Sequence, residues 1–499
     1  MIETHLSLLI VVLPLLAAPI VAMLPNGKLP WFVSTAVTWC VFVLTCWQLL
    51  NVTSGTVVTY ELGGWAPPWG IEYRIDAANA LVALIVAGIA AITLPYALQS
   101  VINEIPQKLH ALFYAAFMLC FTGLLGITQT GDIFNLFVFL EVSSLSSYAL
   151  ISLGKNRQAL TASYQYLIMG TIGATFFLIG VGLLYAMTGT LNMADLSERL
   201  PALVENRTIQ TAFAFIMVGF ALKLALFPLH LWLPNAYTYA PSVVTIFLAG
   251  TATKVAVYVM LRVIFTVFSF DVIANTPTDE MFLLLCVIGI LSMSFYAIYQ
   301  RDSKRLLAYS SVAQIGYMML GIGLGTKLGI TAALVHMFNH AIMKAALFMA
   351  IGAIVYRIAS SRIDDMAGLG RRMPWTFGAI VIGGLSLIGV PGTAGFVSKW
   401  YLVLAAIEQQ YWLLVIVILA GSLLAVIYVW KLVEALYFLP ADKTQHADIK
   451  EAPLMLLIPT WILVLANIYF GLDTELTLGT AQQAAELLLP VSQATGVAP

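Results

Sequence analysis

Seven side chains that can carry a proton lie inside apolar stretches of this sequence. They comprise one carboxylate, four amines and two imidazoles: Glu141, Lys223, Lys254, His336, His340, Lys344 and Lys399. A charged group at the centre of a bilayer costs at least about 2.5 kcal/mol, so each of these needs a partner or a purpose. Because burial disfavours a charged amine and a nearby carboxylate favours it, a buried Glu and Lys together can hold or release a proton. The set predicts proton transfer.

The segment Phe220 to Pro241, FALKLALFPLHLWLPNAYTYAP, indicates a broken membrane helix at Lys223. Proline lacks a backbone donor and clashes with the preceding turn, so Pro228 and Pro234 should interrupt the helix just after the lysine. Freed backbone groups are tolerated in a membrane only where protein or a wet cavity satisfies them. Such breaks are where transporters bind ions. His230 fits equally well at the wet break or at the membrane interface.

Glu141 is predicted to lie mid-span, in GDIFNLFVFLEVSSLSSYALI. It would be either a structural carboxylate bonded to Ser143 or Ser144, or a proton or cation site paired with a lysine; we favour the second. This is also the one place where a transported Na⁺ would approach; we expect no structural metal. For Lys223 and Lys399 the competing interpretation is an ion pair that only locks helices together, although desolvation makes such pairs poor stabilisers.

Further ionisable residues extend the set along the membrane. Lys254 fits a relay between the other lysines or a structural role. In HMFNHAIMK, His336, His340 and Lys344 recur every four residues and therefore share one helix face. Zinc binding is disfavoured because the segment lacks the Glu of HExxH, and between hydrogen-bonded core histidines and a proton wire we favour the wire, since imidazole titrates near neutrality.

Two other cations inside apolar spans are weaker candidates. Arg262 lies toward the outer end of its span and is expected to snorkel to the interface. Lys431 and Glu434 are three residues apart, so they could simply pair on one helix face.

Composition identifies a polytopic membrane protein. Hydrophobic residues make up 61% of the 499 residues and charged residues 9%, against about 25% charged in an ordinary soluble domain. The net charge of −1 argues against a nucleic-acid partner. The four cysteines show no CxxC spacing, and we find no nucleotide loop, nucleophile elbow, haem ligand pair or iron–sulfur spacing. We therefore expect no cofactor and no redox chemistry in this chain.

Runs of about 20 apolar residues, the length that spans a bilayer, predict an all-α fold of about fourteen transmembrane helices. Three long spans contain breakers or polar residues, so we expect bent or broken helices near 209–232, 328–359 and 375–407. The predicted spans are 4–24, 30–50, 78–100, 109–129, 133–153, 163–188, 209–232, 242–268, 280–299, 305–324, 328–359, 375–407, 411–439 and 452–472.

Loop charges predict the orientation. Of the Lys and Arg outside the spans, thirteen fall in one alternating set of loops and four in the other. Because Lys and Arg favour the cytoplasmic side, both termini should lie outside. The loops 51–77 and 189–208 then face the exterior, and the second could form a short amphipathic surface helix.

Lysine spacing suggests an internal repeat. Lys399 follows Lys223 by 176 residues (399 − 223), and Lys431 follows Lys254 by 177 (431 − 254). A repeat of five helices reverses membrane orientation and so gives inverted copies, as in many transporters. The match is imperfect, because the break follows Lys223 at Pro228 but precedes Lys399 at Pro391-Gly392. The predicted units are 1–108 with three helices, the five-helix repeats 109–268 and 280–439, and 440–499 with the last helix and tail.

Several motifs in order resemble one membrane-protein family. They are GDIFNLFVFLEVSSLSSYAL, LKLALFPLHLWLPNAY, RDSKRLLAYSSVAQIGYM, HMFNHAIMKAALFM and GVPGTAGFVSKWYL, spread over roughly residues 70–440. Together they resemble the proton-translocating, antiporter-like membrane subunits shared by respiratory complex I and the Mrp-type multisubunit Na⁺/H⁺ antiporters. Within that family, the GDIFNLFVFLE wording and the chain length are closest to the D-type Mrp subunits.

The resemblance implies fourteen helices, two inverted five-helix units and a polar axis at mid-membrane. The family's key positions map onto the seven residues already selected by burial. It also implies a multi-pass protein of a prokaryotic cell membrane, within a hetero-oligomer that exchanges protons for Na⁺ or K⁺. The chain would be a secondary transporter subunit rather than an enzyme. The alternative is a proton-pumping subunit of a complex I-like oxidoreductase or membrane-bound hydrogenase, which would make it a translocase subunit.

Overall fold

The fold is almost entirely helical. The computed structural model describes residues 3–53, 55–268, 278–440 and 449–489, and within these ranges the chain forms nineteen α-helices and one two-stranded hairpin. The helices are α1 Leu6–Met23, α2 Lys28–Val52, α3 Ala77–Glu104, α4 His110–Gln129, α5 Ile133–Ser152, α6 Gln158–Thr188, α7 Met193–Arg199, α8 Arg207–Leu224, α9 Trp232–Tyr239, α10 Ser242–Gly250, α11 Ala252–Arg262, α12 Thr278–Ile298, α13 Ser303–Gly323, α14 Lys327–Ile358, α15 Pro374–Ile388, α16 Ala394–Glu408, α17 Trp412–Val433, α18 Leu454–Leu472 and α19 Glu475–Leu488.

Helix lengths match the predicted spans. Thirteen helical stretches of the described chain are long and apolar enough to cross a membrane. The remaining predicted span, 375–407, is made of α15 and α16 separated by a break. The prediction of an all-α polytopic membrane protein is therefore confirmed. The amphipathic helix expected in 189–208 is α7, whereas α19, which follows the last span, was not predicted.

The loop between α2 and α3 forms a small hairpin that covers one face of the bundle. Its strands, β1 Val58–Glu61 and β2 Glu72–Ile75, pair antiparallel, with Val58 opposite Ile75. Tyr73 of β2 bridges to Thr130, just before α5. The ends of α4 and α11, the start of α5, and α7 therefore lie on this face, which we call the hairpin face.

Two of the three expected breaks are present. Helix α8 stops at Leu224, where Ala225 takes the left-handed conformation (φ 60°) and Pro228 follows. Helix α15 stops at Gly389 (φ 91°), where only glycine avoids a steric penalty. In 328–359, where a bent or broken helix was expected, α14 is not broken but runs continuously for 32 residues. A break that was not predicted divides 242–268 at Thr251, between α10 and α11.

Helix α14 forms the centre of the bundle. Every residue from Gly329 to Ile354 is buried, because α14 packs against α3, α10, α13, α15, α16, α18 and α19. A helix that is buried on all sides can keep polar residues away from lipid on any face. It is therefore a suitable carrier for the His336, His340 and Lys344 set.

Two stretches of the chain share a series of local features. Asp132 caps α5 and bridges to Asn192, and Asp302 caps α13 and bridges to Arg362, so each bridge joins residues sixty positions apart. Five-residue π-helices, Val263–Val267 and Glu434–Phe438, follow α11 and α17. The division into inverted units 109–268 and 280–439 remains a prediction. Matching caps, bridges and π-helices are features that such a repeat would produce.

Candidate functional site

The first break brings Lys223 to a carboxylate. Lys223 lies in the last turn of α8, where the negative end of the helix dipole favours a cation. Its Nζ donates a 2.7 Å hydrogen bond to Ser144 Oγ and lies 3.5 Å from Glu141 Oε1. The lysine side chain is 6% exposed and that of Glu141 26%. The predicted Glu–Lys pair thus forms, with its carboxylate toward the outside of the chain.

A cavity of about 30 Å³ adjoins this pair. A water needs roughly 10–15 Å³ by this measure, so the space fits about two waters. Lys223 and the hydroxyl groups of Ser143, Ser144 and Ser147 supply its polar wall. A titratable amine therefore has hydroxyls and room for water beside it.

Lys254 projects from a different face of α11 than the one lining that cavity. The cavity is lined by Ala252, Val255, Ala256 and Val259, which share one helix face. The Nζ of Lys254 donates to the carbonyl of Ala249, in the last turn of α10, and to Thr253 Oγ1 at 3.4 Å. Lys254 is fully buried and interacts electrostatically with His336, His340 and Lys344. The unpredicted break at Thr251 thus supplies the carbonyl that holds this lysine.

The three predicted residues of α14 face the interior together. The rings of His336 and His340 stack with centroids 5.9 Å apart. His336 Nδ1 is 2.8 Å from Ser398 Oγ, whereas both ring nitrogens of His340 lack a hydrogen-bond partner among the described residues. Lys344 donates to Ser310 Oγ and to the Leu307 carbonyl. Within the described chain no group of His, Cys, Asp and Glu side chains is arranged to bind a metal ion.

The second break holds Lys399 without a carboxylate. Its Nζ donates to the carbonyls of Leu387 and Ile388 at 3.0 and 2.9 Å and to Ser422 Oγ at 3.0 Å. Both carbonyls belong to the last turn of α15, so Lys399, on α16, reaches back across the break. Among the described residues, no acidic side chain forms an ion pair with it.

Lys223 and Lys399 therefore occupy different positions relative to their breaks. Helix α8 ends one residue after Lys223, whereas α15 ends eleven residues before Lys399. The spacing of 176 residues places both lysines near a break but not at equivalent helix positions. The imperfect match seen in the sequence has this cause.

Aromatic and polar contacts connect the second break to α14. Lys399 Nζ lies 5.1 Å from the centre of the Tyr317 ring, which is 5.9 Å from the His336 ring. Asn339 donates a 2.6 Å hydrogen bond to the Ala394 carbonyl at the start of α16. Sequence reasoning missed Tyr317, Asn339 and Ser422. Their only signal was a polar or aromatic residue within an apolar span.

The weaker candidates have structural partners. Lys431 Nζ donates to the carbonyls of Ile298 and Gln300, at 2.9 and 2.7 Å. It forms no ion pair with Glu434 in the described structure, so the pairing that their spacing allowed does not occur. Arg262 does not snorkel, since it is buried and pairs with Asp76. His230 is buried near the first break, with its Nδ1 unpartnered in the described structure.

Comparison with known proteins gives consistent matches over the whole chain. Residues 130–425, which include all seven predicted site residues, match the family model described as NADH:quinone oxidoreductase/Mrp antiporter, transmembrane. The N-type subunit of the NADH-quinone oxidoreductase of Desulforudis audaxviator is 39% identical over 96% of this chain and 98% of its own. The D-type subunit of the Na⁺/H⁺ antiporter of Alkalihalophilus pseudofirmus is 32% identical, over 90% and 89%.

Two solved structures share the fold. A chain of the Mrp complex from Dietzia sp. DQ12-45-1b superposes with a TM-score of 0.90 at 26% identity and 99% coverage of both chains. A chain of the membrane-bound sulfane sulfur reductase, an archaeal respiratory membrane complex, also gives 0.90, at 31% identity and coverage of 98% and 99%. Both structures are multisubunit membrane complexes.

Proposed function

Because this chain belongs to the NADH:quinone oxidoreductase/Mrp antiporter transmembrane family, as its motifs predicted, we propose that it is the proton-translocating subunit of a multisubunit antiporter that exchanges Na⁺ or K⁺ for protons. The observation that carries the proposal is the Glu141–Lys223 pair beside a small polar cavity. Whole-chain similarity to a D-type Na⁺/H⁺ antiporter subunit and to a chain of an Mrp complex supports cation exchange.

Lys223 acts as a proton carrier whose state depends on Glu141. A close carboxylate favours the charged amine, and burial without the carboxylate favours the neutral one. Glu141 lies on α5 and Lys223 on α8, so relative movement of these helices changes the distance between the two groups. Withdrawal of Glu141 then releases the proton of Lys223, and its return recaptures one.

The remaining residues carry the proton across the bundle. Lys254 receives it from Lys223, the His336, His340 and Lys344 set passes it along α14, and Lys399 releases it at the second break. Buried imidazole nitrogens without a partner are costly unless water reaches them, so His340 supports a hydrated stretch here. The membrane supplies the driving force, about 2.3 kcal/mol per charge per 100 mV.

Cation passage is coupled to proton release at the edge of the subunit. The Glu141 side chain keeps 26% of its surface exposed, although it lies mid-span. A neighbouring subunit of the complex covers this face, and a passing Na⁺ or K⁺ competes with Lys223 for the carboxylate. This links cation passage to proton release as a coupling free energy between two sites.

The proposed setting is a prokaryotic cell membrane with both termini outside. Loop charges support that orientation, and the hairpin face is then exterior. The matching caps, bridges and π-helices support the division into inverted repeats at 109–268 and 280–439.

The second candidate is a proton-pumping subunit of a complex I-like oxidoreductase or related respiratory complex. The 39% identity to an N-type subunit of NADH-quinone oxidoreductase favours it. In that case the same residues move protons, with redox energy supplied by other subunits.

Inverted vesicles from an antiporter-deficient host distinguish the two. The full operon is expressed with either unmodified protein or the Lys223→Ala variant at equal level, and a pH-sensitive dye reports the proton gradient. We expect Na⁺ or K⁺ to dissipate the gradient only with the lysine present. A proton gradient driven by a redox substrate and dependent on Lys223, without a cation response, would establish the second candidate instead.

A further inference from the structure

A second cavity lies on the hairpin face, away from all seven site residues. Its volume is about 80 Å³, which fits roughly five waters. It runs from exposed Arg74 inward to buried Ile127 and Leu136. Its polar wall consists of Arg74, Asp76, Thr130, Ser197, Arg262 and Thr266. This water-accessible space at the hairpin end of the helices lies outside the proposed chain of proton carriers.

This cavity and the Lys223 cavity share part of their lining. Ile127 of α4 lines both spaces. On α5, Leu136 lines the outer one and Leu140 the inner, and four residues span about one helical turn of 5.4 Å. On α11, Tyr258 and Arg262 line the outer space and Val259 the inner. Residues of α4, α5 and α11 thus line both spaces, with Ile127 common to the two and Leu136 and Leu140 one turn apart.

A buried ion pair keeps the outer cavity polar. Arg262, at the end of α11, pairs with Asp76 and donates a 2.9 Å hydrogen bond from Nε to Tyr258 Oη. Asp76 also caps α3 by accepting from the amides of Ala78 and Asn79. Burial raises the pKa of Asp76, but the charge of Arg262 and these hydrogen bonds outweigh burial and bring the pKa below its usual value. The pair therefore stays ionised.

The geometry points to the outer mouth of the proton path: we propose that this cavity carries water and protons between the hairpin face and Lys223, across the layer formed by Ile127, Leu136 and Leu140. The inference rests on the proposed function and adds the entrance to it. Asp76 neutralises Arg262, so the charge that remains in the lining is that of Arg74 at the exposed end. Protons cross along waters and the hydroxyls of Thr130, Ser197 and Thr266.

Thiol accessibility tests the mouth without relying on transport. In a background with Cys40, Cys46, Cys120 and Cys286 changed to Ala, Leu136→Cys is treated with a membrane-impermeant thiol reagent in vesicles of either orientation. Ile133→Cys is the matched control, since it lies on the same helix and is equally buried but does not line the cavity. We expect complete modification of Leu136→Cys from the hairpin face only, and none of Ile133→Cys.

A block of transport by the same reagent tests the role of the cavity. Ser197→Cys on α7 lines it, whereas the neighbouring Glu198→Cys is exposed and does not. Modification of Ser197→Cys, or of Thr266→Cys as a second position, should reduce cation-driven proton movement to the level of Lys223→Ala. Modified Glu198→Cys should keep full transport.

The outcomes separate the two proposals. An unreactive Leu136→Cys, or full transport after complete modification of Ser197→Cys and Thr266→Cys, overturns the proton mouth even if the cysteine-free parent exchanges cations for protons. If that parent shows no cation-driven proton movement, the proposed antiport fails, and reactivity of Leu136→Cys alone then decides whether the cavity is open to water.

Discussion

The two helix breaks hold their lysines by different means. Lys223 faces a carboxylate and a serine on another helix, whereas Lys399 is held by two main-chain carbonyls and a serine. A carboxylate carries a full charge and can move with its helix, while carbonyls at a helix end supply only partial charge from a fixed position. The comparison teaches that the first site can be switched by a neighbour, and that the second provides a constant environment.

The first site also has more charged groups in its surroundings than the second. The first has an ion pair at its outer end, where Arg262 precedes the π-helix Val263–Val267. The residue before the corresponding π-helix, Glu434–Phe438, is the uncharged Val433. The first region thus concentrates the charged partners, and substitutions there should have the larger effects.

The largest expected effect is loss of transport in Lys223→Ala and in Lys399→Ala, because each removes a proton carrier from the proposed path. Assembly should persist, since Glu141 is partly exposed and Lys399 leaves only carbonyls and a hydroxyl behind. Dye dequenching with equal amounts of assembled complex measures both. Retained transport in Lys399→Ala alone would break the comparison by removing the second site from the path.

Asp76→Ala should destabilise the protein by about 3–5 kcal/mol, because it leaves Arg262 buried without its partner. The matched control is Asp302→Ala, which removes a helix cap but no buried ion pair and should cost about 1 kcal/mol. Thermal denaturation in detergent compares the two. Equal losses would show that Asp76 acts only as a cap.

Ser422→Ala should slow transport roughly fivefold, corresponding to about 1 kcal/mol, because Lys399 loses one acceptor and keeps two carbonyls. Ser144→Ala should be more harmful, since it leaves Lys223 with the 3.5 Å Glu141 contact alone. Initial rates of cation-driven proton movement show which of the two variants is slower. The reverse order would contradict the assignment of the switch to the first site.

The smallest expected effect is that of Lys431→Met. Its Nζ caps the chain after α12 through two carbonyls, so its loss should cost about 1 kcal/mol or less of stability. Transport rate should stay unchanged. A transport defect at normal expression would show that Lys431 belongs to the proton path. It would also support the equivalence of Lys431 and Lys254 that their spacing suggests.

Much of the fold could be predicted because its determinants are local. Apolar runs of sufficient length indicated the spans, and Pro228 and Pro391-Gly392 indicated the two breaks beside Lys223 and Lys399 through their own backbone chemistry. The break at Thr251 follows Gly250 without a proline, and polar residues did not interrupt α14 because tertiary packing surrounds it. Those features depend on neighbours distant in sequence.

The site was predictable as a set of residues but not as a set of contacts. Buried charge in an apolar span identified Glu141 and the lysines from one sequence. The partners of Arg262 and Lys399 could not be inferred, because Asp76 lies 186 residues from Arg262 and the acceptors of Lys399 are mostly main-chain carbonyls. Every residue has a main-chain carbonyl, so the residue types in a sequence do not show which carbonyls accept hydrogen bonds.

The most direct test of the central claim is transport by Glu141→Gln in the fully assembled complex, with Glu408→Gln, an exposed glutamate at the end of α16, as control. Glutamine keeps the size and hydrogen bonding of the side chain and removes only the charge. We predict normal assembly with no cation-driven proton movement for Glu141→Gln, and unchanged transport for the control. Transport at the unmodified rate, or failure to assemble, would contradict a switch at Lys223 and leave the pair as a structural lock.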